Sequence, residues 1–201
     1  MSSKSKIQSD HVPRIKLVIV GDGACGKTSV LHVFKYGTFS RVKSLSQYFS
    51  VRKMQVDGKS VELALWDTAF DRLTALTNLL HFSGQEEYDR IRIHSYPGAN
   101  VVLISFAIDT KDSLENVTSE WIEEVNKECP GVPIILVGLK KDLRPQDARR
   151  NDDTFVHPRE AEIVASNIGA RSYIECSALT GEGVQKVFDI AVRAGLVSIG
   201  S

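Results

Sequence analysis

Apolar residues along this chain follow two patterns, short continuous runs and runs with a spacing of three or four. The continuous runs predict strands that are buried on both faces of a sheet. They are Ile15–Val20, Ala99–Ala107, Val132–Val137 and the shorter Ser172–Glu175. Two further runs, Val51–Val56 and Val61–Trp66, flank Asp57-Gly58, and this arrangement predicts a β-hairpin.

The runs with helical spacing lie between these strands. Their apolar positions are Val30, Leu31, Val33 and Phe34 before Gly37, then Leu114, Val117, Trp121, Ile122 and Val125, then Ala161–Ile168 and about Val184–Val197. Strands that alternate with helices predict the α/β class, with a mostly parallel sheet covered by helices on both faces. The length of 201 residues suits one domain. We expect it to cover 14–198, after a disordered lead-in over 1–13.

Charge and cysteine content exclude several classes of function. The chain has 25 Lys+Arg and 25 Asp+Glu residues. It therefore lacks the excess of positive charge that would indicate binding to nucleic acid. Cys25, Cys129 and Cys176 are scattered and odd in number, which favours a reducing compartment over a disulfide framework. The first residues lack the apolar core of a signal peptide, and no apolar run reaches the roughly 18 residues of a membrane span. We expect a cytoplasmic protein, a monomer, that binds no nucleic acid.

A glycine-rich loop carries the strongest functional signal. Gly21-Asp22-Gly23-Ala24-Cys25-Gly26-Lys27-Thr28 fits G-x-x-x-x-G-K-[ST], the phosphate-binding loop of nucleoside triphosphatases, and it lies between a predicted strand and a predicted helix. Glycines let the backbone turn so that successive N–H groups point at one anion. Lys27 brings a positive charge to the outer phosphates, and the Thr28 hydroxyl suits Mg²⁺. The sequence therefore predicts a P-loop NTPase.

Three further motifs follow predicted strands, at the edge where folds of this class bind ligands. Asp67 ends one strand, and a carboxylate there can hold Mg²⁺, usually through water. Asp142, in Lys140-Lys141-Asp142, can accept from the N1–H and the exocyclic amino group of guanine, a pair of donors that adenine lacks. Cys176-Ser177-Ala178 can present a backbone N–H to the guanine oxygen. Asp142 therefore favours guanine and disfavours an ATP-using kinase or ATPase.

These motifs resemble those of small GTPases of the Ras superfamily, Rho family. The resemblance covers about Arg14–Val197. The segments that carry it are Gly21–Ser29, Val61–Ala69 and Asp112–Val117, and Gly138–Arg144, Gly169–Arg171 and Leu179–Val184 resemble the fungal paralogue numbered two. The resemblance implies a small-GTPase fold with a six-stranded sheet, and a GDP/GTP switch that uses Mg²⁺ and hydrolyses GTP in signalling to the cell wall, polarity and actin. The implied partners are exchange factors, GTPase-activating proteins, a dissociation inhibitor and effector kinases or synthases.

Site residues carry over from the family by position. The phosphate-binding set is Gly21, Gly23, Ala24, Cys25, Gly26, Lys27, Thr28 and Ser29, with Lys27 also assigned to catalysis. The base-binding set is Phe39, Lys140, Asp142, Ser177, Ala178 and Leu179. Phe39 is equally well interpreted as an ordinary half-buried aromatic residue. In the family pattern, Gly84 matches the glycine that offers its N–H to the γ-phosphate, and Gln85 matches the glutamine that orients the attacking water. Thr28, Asp67 and Ser46 are the implied ligands of Mg²⁺.

The sequence departs from the family in both switch segments. In switch one, Ser40–Ser50 replaces the family pattern; counting from Phe39 puts Ser46 at the magnesium-binding threonine, whereas counting from Asp57 puts Leu45 there. In switch two, Phe70–Ser83 separates the family's Asp-Thr-Ala from its Gly-Gln, so Gln85 has no reason to lie beside the γ-phosphate. One hypothesis is a retained intron in the gene model. The other is an apolar helical face that docks on the surface, formed by Leu73, Leu76, Leu79 and Leu80.

Two smaller departures complete the comparison. Leu139 stands where most small GTPases carry Asn or Thr, so we expect somewhat weaker nucleotide binding. The sequence ends at Ser201 without the prenylated Cys-a-a-X motif that takes family members to the plasma membrane. Two functions stay open on the sequence alone: a switch that hydrolyses GTP, and a protein that binds guanine nucleotide but neither switches nor hydrolyses.

Overall fold

The computed structural model of the chain describes residues 12–40, 49–68, 92–145 and 154–200. The strands are β1 (Arg14–Gly21), β2 (Phe49–Val56), β3 (Lys59–Asp67), β4 (Val101–Ala107), β5 (Ile134–Leu139) and β6 (Ser172–Glu175). The helices are α1 (Lys27–Tyr36), α2 (Lys111–Asn116), α3 (Ile122–Glu128), α4 (Pro158–Asn167) and α5 (Val184–Ile199). A π-turn at Val117–Trp121 joins α2 to α3, and a 3₁₀ turn covers Lys141–Leu143.

The strands form one six-stranded sheet in the order β2-β3-β1-β4-β5-β6. β1 runs parallel to β3 and β4, and the parallel pairing continues through β5 to β6. β2 is antiparallel to β3, and the turn between them has positive φ at Asp57 (51°) and Gly58 (76°), as a type I′ hairpin turn requires. The predicted α/β class, mostly parallel sheet and hairpin are confirmed.

Side chains of β1 point alternately into two apolar cores, one on each face of the sheet. Ile15, Leu17 and Ile19 belong to the core that α1 and α5 cover, where Phe34 stacks on Phe188 with ring centroids 3.7 Å apart. Val18 and Val20 belong to the core under α2, α3 and α4, and that core includes Trp121 and Ala161. Because the central strands are parallel, their carboxyl ends and the loops that follow meet at one edge.

The fifth strand lies two residues further along the chain than predicted, at Ile134–Leu139 instead of Val132–Val137. Pro133 has no N–H to donate to a neighbouring strand, although its carbonyl accepts the N–H of Val102 at 3.0 Å. Lys140 then ends the strand, because its φ of 61° is left-handed. Leu139 is consequently the last, buried residue of the strand and not part of the loop.

The helix predicted across Leu114–Val125 is interrupted by the π-turn. There the N–H of Ile122 donates to the carbonyl of Val117, five residues earlier, instead of four. The predicted apolar positions still face the core, and of these Ile122 is half-buried. Apolar spacing cannot reveal this extra residue, because both arrangements bury the same side chains.

None of the helices that the structure describes is long and apolar enough to span a membrane.

Candidate nucleotide-binding site

The glycine-rich loop joins the end of β1 to the start of α1. Its backbone alternates between positive and negative φ, and the positive values are 138° at Gly21, 60° at Ala24 and 112° at Gly26. Such alternation turns neighbouring N–H groups toward a common point, which is the geometry of an anion-binding nest. Lys27, Thr28 and Ser29 form the first turn of α1, so the unpaired N–H groups and the positive end of that helix face the same place.

The Lys27 side chain folds back over the phosphate loop that precedes it. Its ammonium donates to the carbonyl oxygens of Gly21 at 2.7 Å and Asp22 at 2.6 Å, and it lies 3.7 Å from the Cys25 sulfur. The residue is only 3% exposed. The positive charge is therefore fixed at the centre of the loop by the backbone that curls around it.

Hydroxyl groups tie the ends of the neighbouring strands to β1. Thr68, which follows β3, donates to the Ile19 carbonyl at 2.7 Å, and Ser105 of β4 donates to the Val20 carbonyl at 2.7 Å. Asp67 ends β3 beside Ile19 in the sheet register and is 8% exposed. The predicted carboxylate is thus held at the strand end from which the phosphate loop departs.

A pocket of about 240 Å³ extends from the phosphate loop along the next strand ends. Its walls come from four separate segments of the chain. The lining residues are Ala24, Gly26, Ser29, Phe39, Leu139, Lys140, Asp142, Leu143, Ala178 and Leu179. The structure therefore brings the loop, the predicted aromatic Phe39 and both predicted base-binding motifs around one space.

Ser177 holds Asp142 at the rim of this pocket. The fully buried Ser177 hydroxyl donates to one Asp142 carboxylate oxygen at 2.5 Å and accepts the N–H of Thr180 at 3.1 Å. The N–H of Ser177 donates instead to the Glu182 carbonyl at 2.9 Å. The Ser177 side chain thus orients Asp142, and its backbone N–H stabilises the turn that follows.

Lys140 and Leu139 shape the wall opposite that turn. The Lys140 ammonium pairs with Asp109 at 3.2 Å, so its stem lies along the pocket while its charge is held beyond it. A Cβ placed on Gly26 would lie 3.7 Å from Leu139, which shows that the leucine packs against the phosphate loop. An apolar contact therefore stands where most family members have a polar side chain.

An ion-paired cluster stabilises the base-side loop, which is the segment Lys140–Arg144 that carries Asp142. Arg144, directly after the 3₁₀ turn, donates to both carboxylate oxygens of Glu175, at 2.5 and 2.7 Å, and to the Val156 carbonyl at 3.0 Å. Tyr173 donates to the same carboxylate at 2.5 Å. Burial raises the pKa of Glu175, but the hydrogen bonds from Arg144 and Tyr173 outweigh it and hold that pKa below its usual range.

Three predicted site residues, Ser46, Gly84 and Gln85, lie outside the residues that the structure describes, as does the interruption Phe70–Ser83. The altered segment Ser40–Ser50 is described only at Ser40 and from Phe49 onward. Within the described ranges, no three His, Cys, Asp or Glu side chains gather as a metal-binding cluster.

A loop of this geometry beside a base-sized pocket is expected of a nucleotide-binding protein, and sequence comparison decides which kind. A family model described as the Ras family matches residues 16–196. The chain belongs to the Ras family. This Ras-family protein is 51% identical to the GTP-binding protein rho2 of Schizosaccharomyces pombe over 94% of its own length and 90% of the relative's. It is 52% identical to GTP-binding protein RHO1 of Saccharomyces cerevisiae, with 92% and 84% covered. These similarities place the Ras-family chain among the Rho-type small GTPases.

Two residues of the Ras-family site were missed by the sequence argument. Leu143 lines the pocket and is 46% exposed, and Asp109 holds the Lys140 ammonium. Leu143 directly follows Asp142 and could have been found from that neighbourhood. Asp109 follows β4, and its position at the same sheet edge was the available signal.

Proposed function

We propose that this Rho-type protein binds GDP and GTP in the loop and pocket described above, and hydrolyses GTP to GDP and phosphate as a molecular switch. The observation that carries the proposal is the single pocket shared by Gly26 of the phosphate loop and Asp142 of the base motif. A nucleotide needs both ends of such a pocket, since its ribose joins the phosphates to the base. The similarity to Rho-type relatives favours the hydrolysing switch over a protein that only binds nucleotide.

The phosphate end would be held mainly by backbone. The N–H groups of Gly23 to Ser29 and the start of α1 favour an anion, and Lys27 supplies a fixed positive charge. Phosphates entering the loop would meet an ammonium that the Gly21 and Asp22 carbonyls already orient. Little side-chain freedom is lost on binding, which favours affinity.

The base end would select guanine through Asp142. Its carboxylate accepts two hydrogen bonds from guanine and offers nothing to adenine. Since the Ser177 N–H is engaged by Glu182, the donor to the guanine oxygen would be Ala178, which lines the pocket. Phe39, Leu179 and the Lys140 stem would enclose the base with apolar surface.

Mg²⁺ fits the oxygen donors that the fold supplies. The Thr28 hydroxyl lies in the first turn of α1, and the Asp67 carboxylate ends the neighbouring strand, so both are hard ligands next to the phosphate loop. The ion would neutralise charge on the phosphates of the bound nucleotide. Ser46, Gly84 and Gln85 remain proposed for the third ligand, the γ-phosphate contact and the orientation of water, on the strength of the family pattern alone.

Partners and location follow from the family. Rho-family GTPases interact with exchange factors, activating proteins, dissociation inhibitors and effectors, and we propose the same classes of partner here. The three cysteines are free and buried, which supports the proposal of a reducing, cytoplasmic compartment.

The test is a competition assay with fluorescent GDP and unlabelled GTP or ATP, on the wild-type chain and Asp142→Asn. Wild type should release the probe to GTP at concentrations at least about 10⁴-fold below those needed for ATP, given what matched polar groups can discriminate. Asp142→Asn should lose most of that preference, whereas Asp112→Asn on the exposed side of α2 should keep it. Equal competition by ATP in the wild-type chain would contradict the proposal.

A further inference from the structure

The second residue of the phosphate loop is an aspartate whose carboxylate turns away from the loop. One Asp22 oxygen accepts from the Trp121 indole N–H at 2.7 Å, and the other accepts from the Asn116 amide at 2.8 Å. A carboxylate beside an anion site would repel phosphates if it faced them. Two donors on the neighbouring helix therefore hold this charge on the far side of the loop.

The π-turn is what allows one carboxylate to meet both donors. Asn116 and Trp121 are five residues apart, and in a regular α-helix such residues point about 140° away from each other. The extra residue of the π-turn, Val117–Trp121, brings them to about 40°, the separation of residues four apart in an α-helix. The π-turn thus lets the helix make two hydrogen bonds to Asp22 of the phosphate loop.

The indole is fixed from its other side as well. The Arg92 guanidinium lies 5.1 Å from the Trp121 ring centroid and donates to both oxygens of Glu124, at 2.8 and 2.6 Å. Tyr96 donates to the same carboxylate at 2.5 Å. Trp121 is 8% exposed, so its N–H has a fixed direction and points at Asp22.

We infer that Asp22, Asn116 and Trp121 form a positioning unit that keeps the phosphate loop in its nucleotide-binding conformation. Asp22 is the residue it acts on, and Trp121 is the positioning residue on the helix. The inference rests on the proposed function, because it assumes that the loop binds nucleotide phosphates. Without the two hydrogen bonds to Asp22, the loop loses its fixed shape, so bound GDP leaves faster.

The experiment measures the release rate of fluorescent GDP from the full chain in excess unlabelled GDP. Trp121→Phe keeps the ring against Arg92 and removes only the N–H donor. Asp22→Asn keeps the helix intact and alters the acceptor, so it tests the unit even if the tryptophan variant folds poorly. Each should release GDP about tenfold faster than wild type. The double variant should release GDP no more than about tenfold faster than wild type, because both changes remove the same interaction.

Val125→Ala is the control that distinguishes loss of the polar unit from a general loss of stability. Val125 is 1% exposed and lies one turn further along the same helix, so its truncation lowers the stability to urea without touching the polar unit. Val125→Ala should release GDP at the wild-type rate. The inference is overturned if Asp22→Asn releases GDP at the wild-type rate, if the effects of the two single changes multiply in the double variant, or if Val125→Ala is as fast as Trp121→Phe. A wild-type chain that retains no GDP contradicts the proposed function itself.

Discussion

Buried hydroxyl groups fix the direction of a functional side chain and the ends of strands around the site. Ser177 is fully buried, and its hydroxyl is the hydrogen-bond partner that fixes the direction of Asp142. Thr68 and Ser105 act in the same way on the strand ends around the phosphate loop. At the residue scale, the proposed recognition of guanine by Asp142 would therefore depend on a serine that itself need not contact the base.

Replacing Ser177 by alanine should weaken GDP binding about tenfold while guanine is still preferred. The change removes a hydrogen bond to a charged group, of which about 1.4 kcal/mol is expected to appear as lost affinity. Equilibrium titration with fluorescent GDP measures it, beside Ser166→Ala on the exposed side of α4 as a control. Unchanged affinity in Ser177→Ala would show that Asp142 is held by other means.

At the scale of elements, the glycines of the loop between β1 and α1 differ in what surrounds them. Gly21 has φ of 138°, and a Cβ there would lie 2.0 Å from the Ser105 carbonyl oxygen. A Cβ on Gly23 would meet nothing within 4 Å. The fold therefore requires glycine at position 21, whereas it has room for a larger side chain at position 23.

Gly21→Ala should lower the free energy of unfolding by about 3 kcal/mol or more, through backbone strain and the clash with β4. Gly23→Ala should change it by less than about 0.5 kcal/mol, as for most exposed positions. Urea unfolding without nucleotide compares the two, so that binding does not mask the difference. Similar stability in both variants would mean that β1 and β4 shift apart easily.

The cluster under the base-side loop predicts a dependence on pH. The pKa of Glu175 is lowered in the fold, so the carboxylate stabilises the fold above its unfolded pKa of about 4.3, and this contribution is lost as the pH falls through the folded pKa. Glu175→Gln should therefore be less stable than wild type at pH 7, and the difference should shrink toward pH 3. Urea midpoints across that range measure it. A control is Glu182→Gln, which removes the more exposed pair with Lys141. A difference that stays constant with pH would contradict the assignment.

At the scale of the whole molecule, the fold was largely predictable, because continuous apolar runs and alternating strands and helices leave few arrangements. The phosphate loop and Asp142 were predictable because their chemistry tolerates few residue types at fixed spacing. The π-turn was not predictable, since it leaves the apolar face unchanged, and its hydrogen bond from Asn116 reaches Asp22, 94 residues away in sequence. Asp109 and the contact between Leu139 and Gly26 were missed because they join strand ends that only the folded sheet brings together.

We expect the sequence between Asp67 and Gln85 to limit the rate at which the protein hydrolyses GTP. Phe70–Ser83 lengthens the connection that in the family sets the water-orienting glutamine directly after Asp-Thr-Ala-Gly. A general base or water-orienting group must lie within about 3 Å of the atom it serves. Removing the fourteen residues should therefore speed hydrolysis without changing the affinity for GDP.

Single-turnover hydrolysis of bound GTP tests whether the protein is a GTP-hydrolysing switch. It is measured on the purified chain and on the variant that lacks Phe70–Ser83, with the bound nucleotide identified in both. Intrinsic hydrolysis by Ras is about 10⁻⁴ s⁻¹, so the measurement runs over hours. The account predicts that both proteins hold guanine nucleotide, that both convert GTP to GDP, and that the shortened chain is faster. If neither protein converts its bound GTP, the chain is a nucleotide-binding protein and not a GTP-hydrolysing switch.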